Sequence, residues 1–353
     1  MIQGEEKVKT EQDYRALMID SSSSLKVFSM DRRKYYRMFI ANEDIKDEKE
    51  SQAILMGKLV ETLLFEEELF DEKFYISACT TAPSGLMSNF VEALYEVTIA
   101  STDEYGVVGR DFESLSMEAY EASGYKLPYK TVLNKFIGSD DEIYYNEIRH
   151  IRPKKLSTVT VQDVTNAESI VSELRTNTIT KDIVTMVDDK RYTVLTQHQI
   201  EGFEIDGHIF KMMMDYAIID HEKKTIQPYD LKVTWNVENF YEEYYLYRRA
   251  YIQAYIYYKG VDSESYKDDS IYYDYEVLAP RFIVADSINY YSPLIYTISQ
   301  NDLLDAYNGF EHKRKQYPGV KSIIENLKWA LNMNIWGISR ENYLNNGVVN
   351  IKG

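Results

Sequence analysis

Cysteine is almost missing from this chain: Cys79 is the one copy in 353 residues. That excludes an internal disulfide and any four-cysteine zinc or iron–sulfur site. Histidine is nearly as sparse, with five copies and no His-x-x-x-His pair. Any metal is therefore expected on oxygen ligands, which favours Mg2+ or Mn2+. No apolar run reaches the roughly 18 residues a membrane-spanning helix needs. The polar opening Met1-Ile2-Gln3-Gly4-Glu5-Glu6-Lys7 lacks the apolar core of a signal peptide, so a cytoplasmic location is expected. Positive charge is in short supply: 40 Lys and Arg against 57 Asp and Glu give a net charge of -17. This argues against a broadly basic nucleic-acid binder. It leaves room for an enzyme that is basic only along the track holding a strand and acidic where it holds cations.

Tyrosine is abundant, with 32 copies. Most suit half-buried packing with a polar tip, and exposed ones could stack on bases. The length and the 44% hydrophobic content suffice for one large domain or two smaller ones.

Ser21 to Ser24, ahead of Leu25-Lys26-Val27-Phe28, read as a capped helix start. Residues 51–66 carry a helical pattern, and Glu61 falls on an otherwise mostly apolar stretch. Residues 80–190 read as mostly helical and polar, with a loop at 80–85 and helices at Asn89–Ile99, Phe112–Ser123, Tyr129–Ile137 and Val159–Asn177. From Arg191 the texture turns to strands, with Asp206-Gly207 as a hairpin turn. A long helix is expected over Asn236–Lys259, strands at 275–278, 281–285 and 294–298, and helices over Asn301–Gln316 and Val320–Leu331. The expected class is α/β, a mixed sheet flanked by helices. Its parts are residues 1–79, a helical insertion at 80–190, and the sheet, long helix and C-terminal helices at 191–353.

One constellation carries chemistry. Asp215 ends the run Ile209-Phe210-Lys211-Met212-Met213-Met214, and Asp230-Leu231-Lys232 lies in the next strand-like run, beyond the turn Asp220 to Lys224. Two antiparallel strands joined this way bring both carboxylates and the ammonium together. Asp230 and Lys232, two apart on a strand, leave from one face. Two acids can hold a hard cation, with the Leu231 carbonyl as a further oxygen ligand and Glu61 completing the shell from its helix. Lys232 can then orient a water or neutralise a phosphate. Gln253 and Tyr257, spaced i, i+4, share a helix face and suit positioning. The pattern points to metal-dependent phosphodiester cleavage. Among the basic runs, Arg248 and Arg249 are the best candidates for contacting a strand. A solvated face accounts equally well for Arg32-Arg33-Lys34, Arg149 to Lys155 and Lys313-Arg314-Lys315.

These stretches together resemble the PD-(D/E)xK nuclease superfamily, in the branch of phage-type exonucleases akin to RecE, lambda exonuclease and the RecB nuclease domain. Ser22 to Phe28 resembles the opening helix and Gly57-Lys58-Leu59-Val60-Glu61 the glycine-led helix, where relatives often carry histidine at the place of Glu61. Lys211 to Asp215, Tyr229 to Thr234 and Tyr251-Ile252-Gln253-Ala254-Tyr255-Ile256-Tyr257 resemble the acid strand, the Asp-x-Lys strand and the Gln-x-x-x-Tyr helix. The resemblance spans residues 20–75 and 190–340. It implies a restriction-endonuclease-like core with a helical insertion, metal on Glu61, Asp215 and Asp230, catalysis by Lys232, and positioning by Gln253 and Tyr257. The implied activity is a magnesium-dependent DNA exonuclease acting from duplex ends in recombination or DNA processing. A single-strand annealing protein as partner, a homo-oligomer and the host cytoplasm of a phage protein are further implications. The alternatives are a structure-specific or single-strand endonuclease on the same fold, a non-catalytic DNA- or protein-binding module, and an acidic protein that binds a partner or mimics DNA.

Overall fold

The computed structural model describes residues 11–43, 51–79, 81–267, 270, 272–289 and 291–349. The polar start 1–7 lies outside them, as does Thr80 of the expected loop. The chain forms two compact units, one from residues 1–65 with 170–353 and one from residues 66–169. The helical segment expected over 80–190 thus contributes to both.

The first unit opens with helix α1 (Glu11–Ala16) and helix α2 (Ser22–Met30). Ser21 and Ser24 cap α2 reciprocally, each side chain accepting the other's backbone N–H at 3.4 and 2.8 Å. Helix α3 (Arg32–Tyr35) follows, capped by Asp31, and runs into a wide π turn at Tyr36–Ile40. Helix α4 (Gln52–Phe65) buries Leu55, Leu59, Leu63 and their neighbours, the i, i+4 stripe of an amphipathic helix.

The second unit holds α5 (Phe70–Lys73), strand β1 (Phe74–Ile76), α6 (Gly85–Ala100), α7 (Phe112–Ser123), α8 (Tyr129–Phe136), α9 (Asp140–Lys154) and β2 (Ser157–Val159). β1 and β2 pair in parallel. Phe90, Leu94, Leu115, Val132, Phe136 and Ile148 form its core. The basic run Arg149 to Lys155 lies largely on α9. There Arg152 grips Glu92 with two bonds of 2.6 Å, and Arg149 lies over the Tyr145 ring. Helix α10 (Val161–Thr176) starts in this unit and ends in the first.

The rest of the first unit is α11 (Lys181–Val184), β3 (Tyr192–Ile205), β4 (His208–Asp220), β5 (Thr225–Thr234), α12 (Ala250–Ser265), β6 (Glu276–Val277), β7 (Arg281–Asp286), β8 (Leu294–Thr297), α13 (Gln300–Asn308), β9 (Gly309–His312), β10 (Lys315–Pro318), α14 (Val320–Met333) and α15 (Arg340–Leu344). The sheet runs β3-β4-β5-β7-β8, with β6 also beside β5. It is mixed, because β5 pairs antiparallel with β4 but parallel with β7. Asp206 and Gly207 make the β3–β4 turn with φ of 51° and 71°, the doubly left-handed geometry of a tight hairpin. Helix α12 packs on β3 and β4, and α4 packs on β5. The expected mixed sheet flanked by helices is therefore present.

Two expected helices are corrected. Asn236–Lys259 is not continuous: a 3-10 turn at Val237–Asn239 and a π-helix at Tyr241–Tyr247 precede α12. Arg249 causes the break, because its φ of 57° is left-handed and cannot extend a right-handed helix. The helix expected over Asn301–Gln316 stops at Asn308, and the β9–β10 hairpin follows. Gly309 ends it with φ 91°. Gly319 closes the hairpin so tightly that a Cβ there would lie 2.2 Å from Gly309 N and from Tyr307 O. Lys313 and Arg314, both left-handed, form the hairpin turn, not a helix face.

Candidate active site

The site sits where three strands lose their regular pairing. β4 and β5 pair from Asp220↔Thr225 up to Tyr216↔Tyr229 and no further. The next cross-strand pair would set Asp215 directly opposite Asp230, and like charges so placed repel. The strands fork instead: β4 continues beside β3, and β5 runs on beside β7 as far as Thr234↔Asp286. At the fork Asp215 Oδ2 accepts the Leu231 N–H at 2.9 Å, a side chain doing the job of a ladder carbonyl. The β3–β4 ladder also skips one position, between Thr196↔Tyr216 and His198↔Met214. That position belongs to Gln197 and Asp215, and Gln197 has a left-handed φ of 46°. A non-glycine residue held there stores strain of order 1–3 kcal/mol.

The side chains fill the fork. Asp230, 1% exposed, accepts a bond from Gln253 Nε2 at 2.5 Å through Oδ1. Its Oδ2 forms an ion pair with the Lys232 ammonium, without the alignment of a hydrogen bond. Lys232 also donates to the Leu231 carbonyl at 3.3 Å. On α12, Gln253 Nε2 donates to the Tyr257 hydroxyl at 2.9 Å, and that hydroxyl donates to Met213 O at 2.8 Å. The pair therefore acts as scaffold, tying α12 to both limbs of the fork. Glu61 on α4 accepts a hydrogen bond from Gln197, and its charge opposes that of Asp215. Asp215, Lys232 and Glu61 are half-buried, whereas Asp230, Gln253 and Tyr257 are buried.

Electrostatics follow from this crowding. Burial, then the charges of Glu61 and Asp230, lift the proton affinity of Asp215 well above that of an ordinary carboxylate, with Lys232 and the Leu231 N–H opposing. Burial works against the charge on Lys232. Asp230, Asp215 and Glu61 outweigh it and hold the ammonium above the usual lysine range. Burial and the same acids raise Tyr257 well above a normal phenol, so it stays a donor.

Sequence reasoning missed two members. Lys26 reaches in from α2 and donates to Gln253 Oε1 at 3.2 Å. Burial, reinforced by Lys232, lowers it to about 8 against the pull of Asp230 and Asp215. Its signal was a lone lysine between the buried Leu25 and Phe28. Gln197 gave none, since glutamine does not mark left-handed backbone. The strand-contact candidates are engaged within the fold. Arg249 donates to Ser29 O at 2.7 Å, and Arg248 pairs with Glu243 at 2.9 Å while lying 4.3 Å over the Tyr244 ring.

Among the described residues, no group of three or more His, Cys, Asp or Glu is gathered closely enough to hold a metal by itself. The oxygen set around Asp215 and Asp230, two carboxylates and the Leu231 carbonyl, is nevertheless chemically suited to a hard divalent cation. Asp215, resisting ionisation beside a second acid, is the kind of group such a cation would relieve. No helix among the described residues is long and apolar enough to cross a membrane.

No family model and no curated protein matches this chain. Among solved structures, a candidate exonuclease from Eubacterium rectale is similar over 98% of this chain and 96% of that one, with a TM-score of 0.47 and 14% identity.

Proposed function

We propose that this chain is a divalent-metal-dependent deoxyribonuclease of PD-(D/E)xK type, an exonuclease that hydrolyses phosphodiester bonds from duplex ends. The observation that carries the reading is the fork. Asp215 and Asp230 stand on diverging strands, Lys232 is paired to Asp230, and Gln253 and Tyr257 brace the arrangement from behind. Asp215, Asp230 and the Leu231 carbonyl would hold Mg2+ or Mn2+, with Glu61 alongside. When bound, such a cation neutralises charge building on a phosphate and makes a water easier to deprotonate.

The protein's own groups do the rest. Lys232, half-buried and held charged by its acidic neighbours, is suited to meeting a non-bridging phosphate oxygen as charge develops on it. Gln253, bonded to Oδ1 of Asp230, leaves the buried Oδ2 with no hydrogen-bond donor and only the Lys232 ammonium beside it. Tyr257, kept protonated by burial, holds Gln253 and the Met213 carbonyl in register. The choice of an exonuclease over an endonuclease, and of a phage-type role in recombination, rests on the resemblance of the motifs. So do DNA as substrate, an annealing-protein partner and a homo-oligomer.

A non-catalytic module on the same fold is the second reading, favoured by the fact that Asp230 already has a hydrogen-bond donor in Gln253 and an ion-pair partner in Lys232. End-labelled linear and closed-circular duplex DNA separate the possibilities. Magnesium-dependent digestion of the linear form alone supports an exonuclease, cutting of the circle supports an endonuclease, and inertness on both supports the binding module.

A further inference from the structure

We infer that Lys26 is a positioning residue: its ammonium fixes which way the Gln253 side-chain amide faces and, through that amide, the Asp230 carboxylate. The inference deepens the nuclease reading, and its kinetic arm rests on it. A primary amide has two ends of nearly equal size and opposite hydrogen-bonding sense. In the buried Gln253 the two ends meet opposite demands. The Nε2 end faces Asp230 Oδ1 at 2.5 Å and the Tyr257 oxygen at 2.9 Å. Both must accept: the first is a carboxylate oxygen, and the second has given its proton to Met213 O. The Oε1 end faces Lys26 Nζ at 3.2 Å, a group that can only donate. Turning the amide over would set oxygen against oxygen on one side and NH2 against an ammonium on the other.

Lys26 is well placed to enforce this. Helix α2 is fixed at its start by the Ser21–Ser24 capping box and near its end by Arg249, which donates to Ser29 O from the first residue before α12. The two helices are thus tied to each other beside the Lys26–Gln253 bond. Leu25 and Phe28 pack into the core on either side of Lys26 in sequence. With Lys26 removed, Oε1 loses its charged donor, and the rigid link from α2 to Asp230 goes with it.

Two readouts test this in the full chain. The first is the side-chain amide signal of Gln253 in protein labelled with 15N-glutamine, assigned by its disappearance in Gln253→Met. We expect Lys26→Met to shift that signal and speed its proton exchange, and Lys26→Arg to keep it near the wild-type position. A Gln253 signal in folded Lys26→Met that superimposes on wild type overturns the inference. The second is cleavage. Lys26→Met should lower kcat by about 10- to 100-fold, the scale of a small misplacement at a reacting centre, with KM changed less than about twofold. A raised KM with kcat held would make Lys26 a substrate-contacting group and overturn the positioning role. If wild type cleaves nothing, the nuclease reading fails alone, and the amide signal still decides Lys26.

Discussion

Gln253→Met is the most informative single perturbation of the fork. Methionine keeps the length and most of the volume of glutamine but cannot donate to Asp230. That carboxylate is 1% exposed and takes the Gln253 bond at 2.5 Å. Hydrogen bonds to charged groups contribute about 1.5–3 kcal/mol, and the loss is larger when the partner stays buried and ionised. We expect Gln253→Met to destabilise the first unit by about 2–3 kcal/mol. For a unit of this size that lowers its Tm by about 4–12 °C. Trp235, Trp329 and Trp336 are the protein's three tryptophans, and all lie in this unit. Tryptophan fluorescence during urea unfolding therefore reports on it alone. If the cost arises from stranding a buried charge, neutralising that charge should reduce it. In an Asp230→Asn background the same substitution should cost about 1 kcal/mol, the value of an ordinary hydrogen bond. The double-mutant cycle then shows a coupling of 1 kcal/mol or more. Equal costs in the two backgrounds would refute the reasoning and make Gln253 an ordinary packing residue.

Asp215 gives a prediction with a definite sign. Its folded-state proton affinity is raised, so the folded protein binds the proton more tightly than the unfolded chain. Metal-free stability should fall as pH rises from the unfolded aspartate value of about 3.9 through the raised folded value. Asp215→Asn should flatten that fall, as followed by urea midpoints in EDTA across the acid-to-neutral range. Gly319→Ala should cost about 2–3 kcal/mol in the same assay, because its Cβ would meet Gly309 N and Tyr307 O at 2.2 Å. In oligonucleotide binding, Arg248, whose half-exposed guanidinium can exchange Glu243 for a phosphate, should on substitution by Ala reduce the slope of log affinity against log salt by about 0.7–0.9. Arg249→Ala should leave that slope unchanged and lower stability by about 1–2 kcal/mol, since its guanidinium is spent on Ser29 O.

Much of this was legible in the sequence because local rules and the global fold agree. Asp206-Gly207 supplied the two left-handed residues of a tight hairpin, and the serines ahead of Leu25 supplied a cap. The spacings Asp-x-Lys and Gln-x-x-x-Tyr placed each pair on one face, and the fold brings Asp215, Asp230, Lys232, Gln253 and Tyr257 into one cluster. What escaped depends on long-range geometry. Arg249 breaks the tyrosine-rich helix without glycine or proline to mark it, and its left-handed backbone is held in place by a bond to Ser29, 220 residues away in sequence. The β9–β10 hairpin was punctuated by Gly309 and Gly319, but the intervening polar residues also fit a helix. Lys26 acquires its role only through a partner 227 residues distant, and the strained Gln197 only because it faces Asp215 across two strands.

The most direct test of the account is single-turnover cleavage of an end-labelled linear duplex with Mg2+, comparing wild type, Asp230→Asn and Lys232→Met. The account predicts digestion by wild type that stops when the cation is chelated and falls by at least about 100-fold in each variant. Wild-type inertness with both Mg2+ and Mn2+, or variants that cut as fast as wild type, would contradict it.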